Sequence, residues 1–315
     1  MTKLNKLGPL FALVLVYLFF TLLNAKITSL TALETMMQQT VIVGVAAIGM
    51  TLIIISSGID LSAGSIIALS SVVVAQLMNA HSFSPLLAAC GGVFTGMLCG
   101  FINGVLITRL KLVPFIITLG SLLIVRGFAK GLSGSMPINV GQTWLSELLA
   151  ILPPERKWLL IPPGAWLMLV LALLVAMMLA HTRIGRYIFA VGSNEQTARM
   201  SGIMVERVKL TVYALGGAFA GLSGLMLMSY QEQGDPTAAV GLELDIIAAV
   251  VIGGGSLSGG EGSIAGSLIG AMIMTVIRTG CQLNGWPPWV TQVVTGIVIV
   301  IAVAVDRLRH KVIEK

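Results

Sequence analysis

HTRIGRYIFAVGSNEQTARMSGIMVERVK, residues 181–209, is a polar and basic island between two long apolar regions. It carries Arg183, Arg186, Arg199, Arg207 and Lys209 against Glu195 and Glu206. The rest of the 315-residue chain is its opposite, since 56% of all residues are hydrophobic and only 10% are charged. Soluble domains average ~25% charged residues, so this composition belongs to an integral membrane protein. Continuous runs such as Val290–Val305 and Trp166–Ala180 lack the alternation of a β-barrel, so the spans are helices. Charge is costly in hydrocarbon, so the island must lie in water, and its basic sign assigns that water to the cytoplasm.

Outward from the island, apolar stretches long enough for spans are 7–24, 36–57, 63–80, 84–108, 113–131, 163–181, 208–231, 244–257, 263–282 and 288–305. The fold class is therefore all-α integral membrane, with about ten transmembrane helices in a single transmembrane domain over 1–315. The eighth stretch is short and rich in glycine. Met1–Asn24 has the look of a signal peptide, but the spans that follow make it an uncleaved first helix. With both termini cytoplasmic, thirteen of the nineteen Lys/Arg fall on the inner side. Glu34, Glu147, Glu155, Glu232, Asp235, Glu243 and Asp245 then fall on the outer side. The net charge of +6 follows from this topology and does not signal nucleic acid. Segment 132–162 reads as an outer loop with a short helix around Thr143–Leu152.

Several spans carry glycine every fourth residue: Gly92, Gly96, Gly100 and Gly104; Gly262, Gly266 and Gly270; Gly217 and Gly221. Such stripes let helix backbones approach closely in lipid. GIDLSAGS (58–65) and GGGSLSGGEGS (253–263) instead break apolar runs. Broken helices are tolerated only where protein or a wet cavity satisfies the freed backbone, and in transporters they often border the pathway. Asp60 and Ser62 either cap the next span or act in the pathway, and the two roles are compatible. Arg126 and Arg278 lie inside spans near the outer side, where they either snorkel or face a pathway. Asn103 and Gln292 are suited to hydrogen bonding with a polar solute; the alternative for Asn103, beside the glycine stripe, is a bond across helices. Together Asp60, Ser62, Asn103, Arg126 and Gln292 are the pathway or gating candidates.

Chemistry is scarce. His81, His181 and His310 are scattered, and Cys90, Cys99 and Cys281 fall in apolar segments without C-x-x-C spacing. No metal, cofactor or catalytic set is expected, and the chain reads as a transport subunit rather than an enzyme. LSGGE (257–261) looks like an ATPase signature, but no G-x-x-x-x-G-K-[ST] loop accompanies it. Span-embedded acid relays are also lacking; Asp60 is the one acid expected to lie deep. Work must therefore come from another subunit. The island suits its reception, as a short helix capped by Ser193 or Asn194 and bracketed by Gly192 and Gly202. The alternative is a plain basic loop against anionic lipid.

GMTLIIISSGIDLSAGSIIAL (49–69), PFIITLGSLLIVRG (114–127), HTRIGRYIFAVGSNEQTARMSGI (181–203) and LELDIIAAVVIGGGSLSGGEGSIAGSLIGA (242–271) resemble the membrane permeases of bacterial ABC importers for monosaccharides, the ribose permease group above all. The resemblance runs over nearly the whole chain. It implies a fold of the vitamin B12 importer type, the type II ABC importer bundle, and a bacterial inner-membrane location. It implies as partners a second permease copy or paralogue, a cytoplasmic ABC ATPase and a periplasmic or lipid-anchored sugar-binding protein. Membrane lipid surrounds the assembly, and no nucleic acid is involved. By the same resemblance Gly192, Asn194, Glu195, Arg199 and Gly202 are the residues expected to couple to the ATPase. A permease for another small solute, such as autoinducer-2, a nucleoside or a branched-chain amino acid, and a stand-alone secondary carrier remain the alternatives.

Overall fold

The structure, a computed structural model, describes residues 3–79, 83–151, 159 and 161–313, with side chains described between 8 and 304 of these. Helices form at all ten apolar stretches. They are α1 (Lys3–Leu23), α2 (Leu30–Ile55), α3 (Ala63–Asn79), α4 (Pro85–Leu110), α5 (Pro114–Ser133), α6 (Pro163–His181), α9 (Val205–Gln231), α10 (Leu242–Ile252), α11 (Ile264–Leu283) and α12 (Pro288–Ile313). The island folds into two more, α7 (Arg183–Ser193) and α8 (Glu195–Met200). Among the described residues six helices are long and apolar enough to cross a membrane, and Gly8–Leu23, Ala63–Asn79 and Pro288–Ala304 are shorter apolar helices. The protein is an all-α membrane bundle.

Local chemistry starts these helices where it should. Ser29, Ser84 and Ser263 cap α2, α4 and α11 by accepting from the N–H of Ala32, Leu87 and Gly266. Pro85, Pro114 and Pro163 occupy first helical positions, where a missing N–H costs nothing. α2 is the buried axis, with 94% of its most apolar window enclosed. Three of its polar groups find partners on neighbours: Thr40 with Thr275 at 2.7 Å, Thr51 with Ser267 at 2.7 Å, and the Ile42 carbonyl with Ser223 at 2.7 Å.

The glycine stripe of α4 packs on that of α9. A Cβ at Gly96 would stand 2.3 Å from the Gly217 carbonyl oxygen, and one at Gly217 would stand 2.2 Å from that of Gly96. No side chain fits there, so the two backbones touch. The stripe on α11 does the same for α10: a Cβ at Gly270 would lie 1.9 Å from the Ala249 carbonyl oxygen.

Two expectations need correction. The helix expected around Thr143–Leu152 is only one 3-10 turn, Ser146–Leu148, among the described residues. Buried Leu145 and Leu149 flank it, and Gln38 of α2 donates to the Leu149 carbonyl at 2.5 Å. Tertiary anchoring takes up the backbone groups that a longer helix would have used. The segment ahead of this turn is also tied across the bundle, because β1 (Ile138–Asn139) pairs antiparallel with β2 (Gln233–Gly234).

The second correction concerns Asp245, which was expected in outer water. It is buried, 4% exposed, and paired with Arg278. The reason is that α10 is a half-helix of 11 residues, about 16 Å at ~1.5 Å per residue, against ~30 Å of hydrocarbon. The chain before it dips into the bundle through a series of turns over residues 236–241. Arg126 holds that dip by donating to the carbonyls of Pro236 at 3.0 Å and Ala238 at 2.6 Å. Asp245, expected to face water, is therefore an internal fastener, and Arg126 pins the turns ahead of α10.

Candidate functional site

The island is an elbow of two helices at one end of the bundle. Thr182 caps α7 through the Gly185 N–H at 3.2 Å. Asn194 ends α7 and caps α8, its Oδ1 accepting from the Thr197 N–H at 2.8 Å. Of the two candidate caps, Asn194 is the one used. α8 stops at a Gly202 with φ +82°, where the Gly202 N–H bonds the Arg199 carbonyl and the Ile203 N–H bonds that of Ala198. This is the double bond of a Schellman motif, which needs glycine because the left-handed conformation crowds a Cβ. Both ends of α8 are thus written in the sequence.

Gly192 does something the sequence did not show. A Cβ there would sit 1.6 Å from the Ile55 carbonyl oxygen and 2.7 Å from the Gly260 nitrogen. Ile55 ends α2, so its carbonyl has no partner within the helix. The Gly260 N–H supplies one at 2.8 Å. Gly259 and Gly260, at φ +85° and +75°, press on Gly192 and Ser193. The elbow therefore meets the end of α2, just ahead of the 58–65 break, and the 253–263 break in one three-way joint. At Gly192 itself the contact is backbone against backbone.

Charges brace the outer side of the elbow. Glu195 pairs with Lys209 at 2.6 Å and Arg199 at 3.5 Å, and Arg199 reaches Glu206 at 2.6 Å. The hydrogen bond and charge of Glu206 hold the Arg199 guanidinium above its already high ordinary value, so it stays a cation. Exposed apolar groups sit among these charges, with Met200 82% and Met204 55% exposed. Sequence reading passed over both; an unburied methionine inside a polar run was the signal.

Behind the joint lies a buried polar chain. Asp60 Oδ1 accepts from the Ser62 N–H at 2.8 Å and the Ser62 hydroxyl at 2.5 Å. Asn103 of α4 donates to Ser62 Oγ at 3.0 Å, and Ser121 of α5 donates to Asn103 Oδ1 at 2.5 Å. Tyr213 of α9 and Thr118 of α5 both donate to the Ile59 carbonyl at 3.3 Å. Asp60, Ser62 and Asn103 are each 2% exposed or less. The structure thus unites three of the pathway candidates, in a knot that ties the first break to α4, α5 and α9. Arg126 and Gln292 stand elsewhere: Arg126 holds the dip before α10, and Gln292 is exposed on α12 beside Arg278. Asp60→Ala should leave the Ser62 N–H and hydroxyl without their acceptor and cost about 1–3 kcal/mol. Asp60→Asn retains an acceptor and should keep the fold. Thermal midpoints of the detergent-purified variants check this, and equal midpoints would remove the knot's structural role.

Among the described residues no three His, Cys, Asp or Glu could hold a metal ion. The sites described above are ones of packing and hydrogen bonding. Comparison with known proteins identifies the family. The profile of the family described as branched-chain amino acid transport system / permease component matches residues 32–303. A ribose import permease of Escherichia coli K12 is 38% identical over 96% of this chain and 93% of its own. A ribose import permease of Bacillus subtilis is 39% identical over 96% and 93%, and a fructose import permease of Rhizobium meliloti is 38% identical over 96% and 86%. No solved structure matches. This chain, a membrane bundle with a backbone-locked elbow, belongs to the branched-chain amino acid transport system / permease component family.

Proposed function

We propose that the chain is the permease subunit of an ATP-driven bacterial importer for a monosaccharide, ribose or a related pentose or hexose. Its relatives named for ribose and fructose import are matched over nearly their whole length, which supports sugar over the amino acids in the family's description. The whole of 1–315 acts as one transmembrane unit in the inner membrane, with both termini and the elbow in the cytoplasm. A second permease copy or paralogue completes the pathway. A cytoplasmic ATPase drives it, and a sugar-binding protein loads it from outside.

The observation that carries the mechanism is the joint at Gly192. A push on α7 and α8 cannot be absorbed by side-chain rotation there, because backbone meets backbone. It passes directly to the end of α2, to the 58–65 break and to the loop between α10 and α11. ATP binding in the partner favours one elbow position by its differential affinity, and the helices beyond the joint follow, giving alternating access. The deciding experiment is D-ribose uptake into liposomes holding the permease with its ATPase and binding protein. Uptake by the permease alone would instead establish a stand-alone carrier.

The partner face is read from exposure. Met200 and Met204 offer apolar anchors in a polar rim, the arrangement a receiving groove takes up. Met200→Asp with Met204→Asp should reduce ATPase co-purification at least tenfold and leave the thermal midpoint unmoved. Glu195→Ala with Arg199→Ala should loosen α8 from α9 and reduce co-purification less. Unchanged association in the methionine variant would remove this docking face.

A further inference from the structure

Two cavities meet at the Asp245–Arg278 pair. One, of about 150 Å³, lies between α2, α9, α10 and α11. The amide oxygens of Gln39 and Gln231 on its wall are closed to solvent and have no hydrogen-bond partner. The other, of about 540 Å³, lies between α10, α11 and α12 and falls within the ~300–1,000 Å³ of small-molecule sites. Besides the pair, Gln282, Trp286, Thr291 and Gln292 line it.

We infer that this second cavity is a transient subsite for a neutral polyhydroxylated ring inside the permease. The charges argue for neutrality. The half-helix α10 points its positive N-terminal end toward the cavity, but Glu243 and Asp245 in its first turn compensate that end. Asp245 also compensates Arg278 directly. An ionic ligand would have to break a pair already made. The remaining groups match a sugar: planar carboxylate and guanidinium edges take adjacent hydroxyls, amides donate and accept, and an indole offers an apolar face to C–H groups. The unpartnered glutamine oxygens behind the pair add acceptors on the next step inward. Binding here is weak by design of the route, since a solute must leave as readily as it enters.

This inference rests on the monosaccharide reading, and its test separates the two. The importer is assembled in liposomes with ATPase and sugar-loaded binding protein, and D-ribose or D-fructose uptake is measured per ATP hydrolysed. Gln282→Ala/Gln292→Ala removes two exposed side chains that anchor no helix. It should lower uptake per ATP at least fivefold, while Val293→Ala, exposed on α12 outside the cavity, changes nothing. Trp286 also packs on Phe20, with ring centroids 6.1 Å apart, so Trp286→Phe, which keeps an aromatic ring there, should hold the thermal midpoint and most of the uptake while Trp286→Ala loses at least fivefold. A fall of less than fivefold in the double variant overturns the subsite. Transport of L-leucine in place of either sugar, or of neither sugar by the unaltered importer, overturns the monosaccharide reading and the subsite with it.

Discussion

Gly192→Ala is expected to uncouple the elbow from the bundle and abolish transport, although it adds one methyl group. The methyl carbon would stand 1.6 Å from the Ile55 carbonyl oxygen, well inside any contact distance. Either α7 moves away, or the Gly260 N–H loses its acceptor. The first route costs about 1–3 kcal/mol of overpacking. The second leaves a buried donor and acceptor unpaired, at about 1–3 kcal/mol. Neither relief comes from a flexible side chain, because all three partners are backbone. The measurement is sugar uptake beside ATP hydrolysis in the assembled importer. Hydrolysis should persist while uptake falls by at least tenfold. Preserved uptake would show that the elbow does not transmit work through this joint.

Gly100→Ala is expected to have the largest effect on the bundle itself. A Cβ there would lie 2.1 Å from the Tyr213 carbonyl oxygen and 2.9 Å from Gly217 Cα, so α4 and α9 would have to separate. That is the most extensive helix pair in the protein, and its opening would also pull Tyr213 from the Ile59 carbonyl and Asn103 from Ser62. Overpacking alone costs about 1–3 kcal/mol, and the loosened polar knot adds to it. Gly127→Ala on α5 is the control. A Cβ there meets nothing within 4 Å, and alanine is the better helix former by about 1 kcal/mol. The thermal midpoint in detergent should fall steeply for Gly100→Ala and hold or rise for Gly127→Ala. Equal midpoints would mean that the α4–α9 contact is looser than its geometry.

Much of this was legible in sequence for local reasons. Apolar runs report transfer free energy residue by residue, so the helices fell where the runs lay. Asn194 and Gly202 bound α8 because capping is settled within four residues. Glycine at every fourth position of α4 announced a close helix contact, without saying with which helix. Asp245 was misplaced because its neighbours, Glu243 and Leu244, look like the start of an ordinary span leaving water. Only the turns that Arg126 pins at Pro236 and Ala238 reveal that α10 begins inside the bundle.

The sequence by itself determined the solvent, the ten apolar helices, the two ends of α8 and the polar island at 181–209. These depend on side-chain hydrophobicity, charge and short-range hydrogen bonds, all of which act within a few residues. Tertiary structure alone decided that Gly192, Ile55 and Gly260 form one joint, that Asp60 is tied to Ser62, Asn103 and Ser121, and that Asp245 pairs with Arg278. A glycine in sequence announces only missing bulk. What that missing bulk admits depends on the backbone brought against it from another part of the chain, and only close packing in three dimensions specifies that.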